Sequence, residues 1–285
     1  MHSAQELVSQ IQALTSLPSV YTRIREVIDA PDGSLTEVSE VIGADPALAA
    51  RLLKVVNSAL YGYGGKIDSL HRAVTLLGLQ QVHDMVLAMS LGSVFAGMHP
   101  SHMDMTRFWR DSVMRGIAAR EIARLSDQPT AERMLVVGLL ADIGHLVMYQ
   151  TVPQLADEAR THAEASGRSL AESERDIVGC DFAEVGAALC AQWQLPACFA
   201  EIVGAQLNPR LAGEFALEAS MVLIADRIVE AERNGETSED AAQSISPAIW
   251  AAIGLRADSF GEMRAAVELN LTAYLQILFS GLRGS

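Results

Sequence analysis

The stretch Gly138-Leu139-Leu140-Ala141-Asp142-Ile143-Gly144-His145-Leu146 lies at the centre of the longest apolar run of the chain, Met134 to Tyr149. A carboxylate inside such a run is costly unless something answers its charge. Asp142 is therefore either a ligand for a cation or an anchor paired with an arginine or a helix N-terminus. The run falls short of the roughly 20 residues of a membrane span, and it reads as a central core helix from Thr130 to Gln150.

Around this run the composition is that of a helical protein with a substantial core. The chain has 285 residues, half of them apolar but only 5% aromatic, so Leu, Ala, Val, Ile and Met must fill the interior. The formal net charge is -14, and most of the acidity lies beyond residue 100. An acidic surface repels phosphate backbones, and no run of Lys or Arg offers a local exception. Cys180, Cys190 and Cys198 lack the paired, close spacing of zinc or disulfide frameworks, so buried thiols in a reducing compartment are expected. Gln5, Glu6 and Gln10 stand where a signal peptide would be basic and then apolar. These features together predict a cytoplasmic protein.

Nearly every segment has helical period. Ser34 with Glu37 forms a capping-box pattern before the stripe Leu35, Val38, Val41 and Ile42. Gly43 stops that helix, Asp45 caps the next, and Pro46 opens it. The second helix is expected to bury Leu48, Leu52, Leu53 and Val56. Asn57 and Ser58 close it, either fixing the following loop or recognising a partner. Leu60 to Gly65 is glycine-rich, but helix precedes it and Lys66-Ile67 follows, so it is a connector and not a phosphate loop. Ser69 caps a helix that Gly78 breaks. Further helices are predicted over Met103–Leu125, Pro153–Gly167, Ser169–Ile177, Phe182–Trp193, Pro196–Gln206, Glu214–Glu232 and Leu269–Leu282, with a polar loop over Asn234–Asp240. No strand and no internal repeat is evident. The fold class is all-α, a multi-helix bundle of two lobes.

The order of the helices and the residues at their turns resemble the HDOD family, the HD-related output domain of bacterial signalling proteins. The resemblance rests on Leu17-Pro18, Val41-Ile42, Asp45-Pro46-Ala47-Leu48, Arg51-Leu52-Leu53, Val56-Asn57-Ser58-Ala59, Ile67-Asp68-Ser69-Leu70, Ala73-Val74 and Leu76-Leu77-Gly78-Leu79. Phe108-Trp109, Gly138 to Leu146, Asp181 to Pro196 and Leu223-Ile224-Ala225-Asp226 continue it. It covers roughly Leu14 to Pro209. It implies a second lobe like an HD-domain core. Residues 1–98 would form an N-terminal helical lobe, 99–212 an HD-like lobe with a degenerate metal site, and 213–285 a helical extension completing it.

The resemblance also implies what is missing. Active HD phosphohydrolases hold metal ions with His and Asp side chains, and their core motif reads Leu, Leu, His, Asp, Ile, Gly, Lys. Here Ala141 replaces the His of the pair, Asp111 and Phe182 stand where two further imidazoles are expected, and none is present near Ala205 and Gln206. Asp142 and Asp226 remain, and His145 occupies the place of the Lys. Sites of this kind favour imidazole with carboxylate, so loss of every matched imidazole predicts no bound metal, no cofactor and no catalysis. Arg115, one turn from Asp111, is expected to pair with it.

The function implied is that of a non-catalytic signal-transduction output module, such as the output part of a response regulator. Its partners would be other signalling proteins with receiver, kinase or cyclic-dinucleotide domains, without membrane or nucleic-acid contact. Two alternatives stand beside it. One is a residual metal-dependent phosphohydrolase of nucleotides or cyclic dinucleotides, using Asp111, Asp142 and Asp226. The other is a DNA-binding regulator that uses the two helices from Leu35 to Leu60 as a helix-turn-helix, with Arg51 and Lys54 as its cations.

Overall fold

The computed structural model describes residues 1–11, 17–58, 66–94, 98 and 100–278. Among these residues there is no strand, and sixteen α-helices carry the fold. The glycine-rich connector from Leu60 to Gly65 lies outside the described residues. The chain forms two compact units, one of Ser16–Ala96 with Thr272–Ser285, the other of Met1–Thr15 with Gly97–Leu271.

The smaller unit contains α2 (Ser19–Asp29), α3 (Leu35–Gly43), α4 (Pro46–Val56) and α5 (Leu70–Val94). Its turns follow the sequence signals. Ser34 and Glu37 make a reciprocal capping box, and the Asp45 carboxylate accepts from the N–H groups of Ala47 and Leu48, both at 3.0 Å. Helix α4 buries Leu48, Leu52, Val55 and Val56. Val55 is buried where Leu53 is expected, because it stands seven residues after Leu48 and so continues the stripe of Leu48 and Leu52 that α3 and α5 cover. Asn57 ties the end of α4 to the chain beyond the connector: its amide donates to the Leu53 and Ile67 carbonyls and accepts from the Ile67 N–H, all within 2.8 Å. The Ser58 hydroxyl donates to the Val55 carbonyl. The α4 stripe is packed, and Arg51 donates to the Met89 carbonyl at 3.3 Å. Helix α5 is bent where Gly78 adopts φ 77°, which a side chain would strain.

The larger unit contains α1 (Ala4–Ser9), α6 (Met105–Leu125), α7 (Ala131–Leu140), α8 (Ile143–Thr151), α9 (Pro153–Ser166), α10 (Leu170–Ile177), α11 (Phe182–Gln192), α12 (Ala197–Ala205), α13 (Ala216–Asn234), α14 (Ser238–Gln243), α15 (Pro247–Ile253) and most of α16 (Phe260–Leu278). Residues 1–15 group here and not with 16–96 as the expected lobe of 1–98 had it. Helix α1 packs on α8 and α11, and the His2 N–H donates to the Val178 carbonyl at 2.7 Å.

The predicted central helix is two helices. Its path breaks at Ala141-Asp142, where Asp142 has φ -101° and ψ 7°, so Asp142 sits at the mouth of α8. The apolar composition runs on across the break, which is why the pattern alone reads as one helix. Two further differences lie in the tail. The helix predicted from Glu214 starts at Ala216, after a 3₁₀ segment Pro209–Phe215. The polar stretch read as loop opens α14, because the Thr237 hydroxyl caps it through the Asp240 N–H. Helix α16 begins nine residues before the predicted Leu269, on the buried stripe Phe260, Met263 and Val267. Two segments, Leu70–Leu91 and Ala131–Thr151, are apolar and long enough to cross a membrane, but 67% and 78% of each lies buried within the fold.

Helix α8 is positioned by contact with α11 too close to admit a side chain. A Cβ on Gly144 would lie 1.9 Å from the Phe182 carbonyl oxygen. Gly144→Ala is expected to force these helices apart and lower stability by about 1–3 kcal/mol or more. Gly43→Ala, whose Cβ would meet only the Leu70 Cδ1 at 3.5 Å, is expected to be neutral or stabilising by up to about 1 kcal/mol. Urea unfolding of the two variants checks the contrast.

Candidate functional site

Four helices of the larger unit bring the remnant positions together: α6 supplies Asp111 and Arg115, α8 starts at Asp142 and carries His145, α11 starts at Phe182, and α13 carries Asp226 and Arg233. Helix α6 lies against α13, and three ion pairs cross that seam, Arg110 with Glu232 at 3.5 Å and two shorter ones of opposite sense. The Arg115 Nε and Nη2 reach the Asp226 Oδ1 at 2.8 and 2.7 Å. The Arg233 Nε and Nη2 reach the Asp111 Oδ2, both at 2.7 Å. The expected pairing of Arg115 with Asp111 is therefore replaced. Each side chain finds an opposite charge across the seam, and such a two-nitrogen contact outcompetes an intrahelical one.

Asp142 is the hub. Its Oδ1 lies 2.5 Å from the His145 Nδ1, and its Oδ2 lies 3.7 Å from the Arg115 Nη2. Burial by itself would raise the Asp142 carboxyl, but the charges of His145 and then Arg115 outweigh it and hold the group below the usual carboxylate range. Burial likewise disfavours the His145 imidazolium, yet Asp142 and then Glu174 push its pKa up to about 10. The His145 Nε2 lies 2.9 Å from the Glu174 Oε1, so the charged ring bridges two carboxylates. The other Glu174 oxygen accepts from the Phe182 N–H at 3.0 Å. The Phe182 ring stacks on His145 with centroids 4.2 Å apart and planes 15° apart.

The remaining matched positions are spent on structure. Ala141 is fully buried, and its carbonyl accepts from the Gln206 Nε2 at 2.7 Å. Gln206 also donates to the Val203 carbonyl, so it joins the helix break to the end of α12. Asp45, Asn57 and Ser58 belong to the other compact unit. Sequence reasoning missed Glu174 and Arg233, and it marked Gln206 only for the imidazole expected near it. Glu174 is 1% exposed in an otherwise polar helix, and nothing in the pattern marks it as buried. Arg233 lies 122 residues from its partner.

A divalent ion does not fit this arrangement. Among the described residues, no three His, Cys, Asp or Glu side chains are grouped to hold one. The two carboxylates retained at matched positions, Asp142 and Asp226, already face the Arg115 guanidinium, whose side chain is only 2% exposed. A metal between them would have to displace a buried cation. Oxygen donors alone also suit hard ions better than the transition metals of imidazole sites.

The architecture of the described residues is all-helical. Within that class, the pattern of the HDOD domain matches residues 14–209, and the chain belongs to the HDOD family. It is 28% identical over 196 residues to an uncharacterised protein of Treponema pallidum (strain Nichols), an alignment covering 68% of this chain and 37% of that one. A second relative, the uncharacterised YuxH of Bacillus subtilis (strain 168), is 22% identical, with 61% and 41% covered. The chain thus spans about two fifths of the length of these relatives. Among solved structures, a suspected phosphohydrolase of Shewanella amazonensis SB2B superposes with TM-score 0.73 at 24% identity, covering 97% of this chain and 99% of that one. An HDOD domain protein of unknown function from Geobacter sulfurreducens superposes with TM-score 0.72 at 21% identity, covering 93% and 96%. At these identities the structures establish the shared fold.

Two outcomes follow from the charge geometry. Arg115→Ala leaves Asp226 without its cation and Asp142 with His145 alone, and it is expected to cost about 3–5 kcal/mol in denaturant unfolding, as removal of one partner from a buried ion pair does. The His145 pKa is raised in the folded state, so its stabilisation is complete below about pH 6.5 and is lost as pH rises through about 10. Wild-type stability should therefore fall between pH 7 and 10.5 more steeply than that of His145→Gln. Parallel pH profiles for the two proteins would contradict the assignment of a charged His145.

Proposed function

We propose that this chain is a signalling module that acts by binding other proteins and does not catalyse hydrolysis. One observation carries the reading: Asp142 and Asp226 are neutralised by Arg115 and His145, cations of the protein itself. Metal-assisted phosphoester hydrolysis needs an ion with open coordination positions to polarise phosphate and activate water. Here the carboxylates that would hold it are committed to guanidinium and imidazolium. Membership of the HDOD family supports the signalling part. The proposed partners are receiver, kinase or cyclic-dinucleotide-responsive proteins, and the proposed compartment is the cytoplasm.

The helix-turn-helix alternative gains no support. The α4 face that would enter a groove is buried, and Arg51 is engaged with the Met89 carbonyl.

Elemental analysis of the purified full chain, with hydrolysis assays on bis(p-nitrophenyl) phosphate and cyclic dinucleotides, tests the proposal. The expected result is substoichiometric Fe, Mn, Mg, Zn and Ni, and no turnover above buffer with any of these ions added. Stoichiometric metal that Asp142→Ala removes, together with turnover that the same substitution abolishes, would establish the phosphohydrolase reading instead.

A further inference from the structure

At the C-terminal end of the family pattern and mostly beyond it, the larger unit contains a groove of about 420 Å³ between α13, α15 and the 3₁₀ segment Pro209–Phe215. Its volume lies in the range of small-molecule sites, about 300–1,000 Å³. Leu207, Leu217, Leu223 and Ile249 give it apolar walls. The Ser220 hydroxyl donates to the Ala216 carbonyl at 2.7 Å, and the Ser246 hydroxyl accepts from the Ala248 N–H at 3.3 Å. Arg210 is the sole charged residue in the lining. It is exposed, and among the described residues no carboxylate pairs with it. That is unusual in this chain, where most guanidiniums of the larger unit sit in ion pairs.

The geometry points to a binding site for a small amphipathic anion, a medium-chain acyl or aryl carboxylate, with its tail on the apolar walls and its head group on Arg210. Charge selects this class. The protein as a whole is strongly acidic, so it attracts an anion only where a cation stands unopposed. A single cation at the edge of an apolar trough matches one carboxylate joined to one apolar body. The groove thereby gives the module a place to sense a metabolite, independently of the remnant metal positions and of the partner-binding reading.

Calorimetric titration of the full chain with decanoate and with decanol tests the assignment. Decanoate should bind one per chain. Arg210→Gln should weaken decanoate about tenfold, as loss of a charge-assisted contact does, and leave decanol unchanged. Ala252→Trp, on an exposed position of α15 that lines the groove, should block both ligands without lowering the unfolding midpoint. Three results would overturn the proposal: no saturable decanoate binding, binding to Ala252→Trp as tight as to wild type, or equal affinity of Arg210→Gln for decanoate. Self-association lost in Ala252→Trp, with no response to decanoate, would likewise overturn it and assign the groove to a second copy of the chain.

Discussion

The larger unit depends on one buried guanidinium. Arg115 is held between Asp226, at 2.7 Å, and Asp142, at 3.7 Å, with its side chain almost wholly withdrawn from water. An arginine rarely goes so deep unless it is paired, because the desolvation of its charge costs several kcal/mol. The two aspartates meet that cost, and they in turn depend on Arg115. Neither they nor the arginine would be stable in this interior alone. The interdependence explains why α6, the α7–α8 break and α13 meet where they do: each contributes one member of a group in which every charge has an opposite charge beside it.

His145 extends the same logic outward. The ring carries a positive charge between Asp142 and Glu174, and the Phe182 ring covers its face. Glu174 also accepts the Phe182 N–H, so one carboxylate orients both the charged imidazole and the start of α11. Gly144 permits this by letting α8 approach the Phe182 carbonyl without a side chain between them. The aromatic ring, the glycine and the glutamate are thus parts of one packing solution. A larger residue at 144 or a polar one at 182 would disturb a charge balance that neither residue joins directly.

Much of the frame was legible in the sequence because local chemistry determines it. Ser34 with Glu37, Asp45 before Pro46, and the break at Gly78 are signals contained within four or five residues, and each element starts or bends at them. The helix break at Ala141-Asp142 was hidden because apolar residues flank it on both sides, and periodicity does not register a change of direction in a fully buried segment. At the site, local reasoning found that the Asp142 carboxylate needs a counter-charge but not which cations supply it. Arg233 and Asp111 are far apart in sequence, as are Arg115 and Asp226. Pairing at that range is fixed by how α6 lies on α13, and no spacing rule encodes it. The predicted Arg115–Asp111 pair failed for the same reason: the i,i+4 rule describes an isolated helix, and here both side chains face a second helix with better partners.

The proposed exchange of a metal for side-chain cations also bears on what such a scaffold can do. A divalent ion brings open coordination positions, and these make it reactive as well as structural. A guanidinium supplies positive charge and directed hydrogen bonds, but it has no vacant position for water or phosphate and does not lose its proton in the physiological range. Exchanging one for the other keeps the electrostatic reason for aspartates at 142 and 226 while removing the means of activating a nucleophile. Retained aspartates are therefore poor evidence of retained chemistry. The informative residues are the cations closest to them, in this chain His145 of α8 beside Asp142 and Arg115 of α6 beside Asp226.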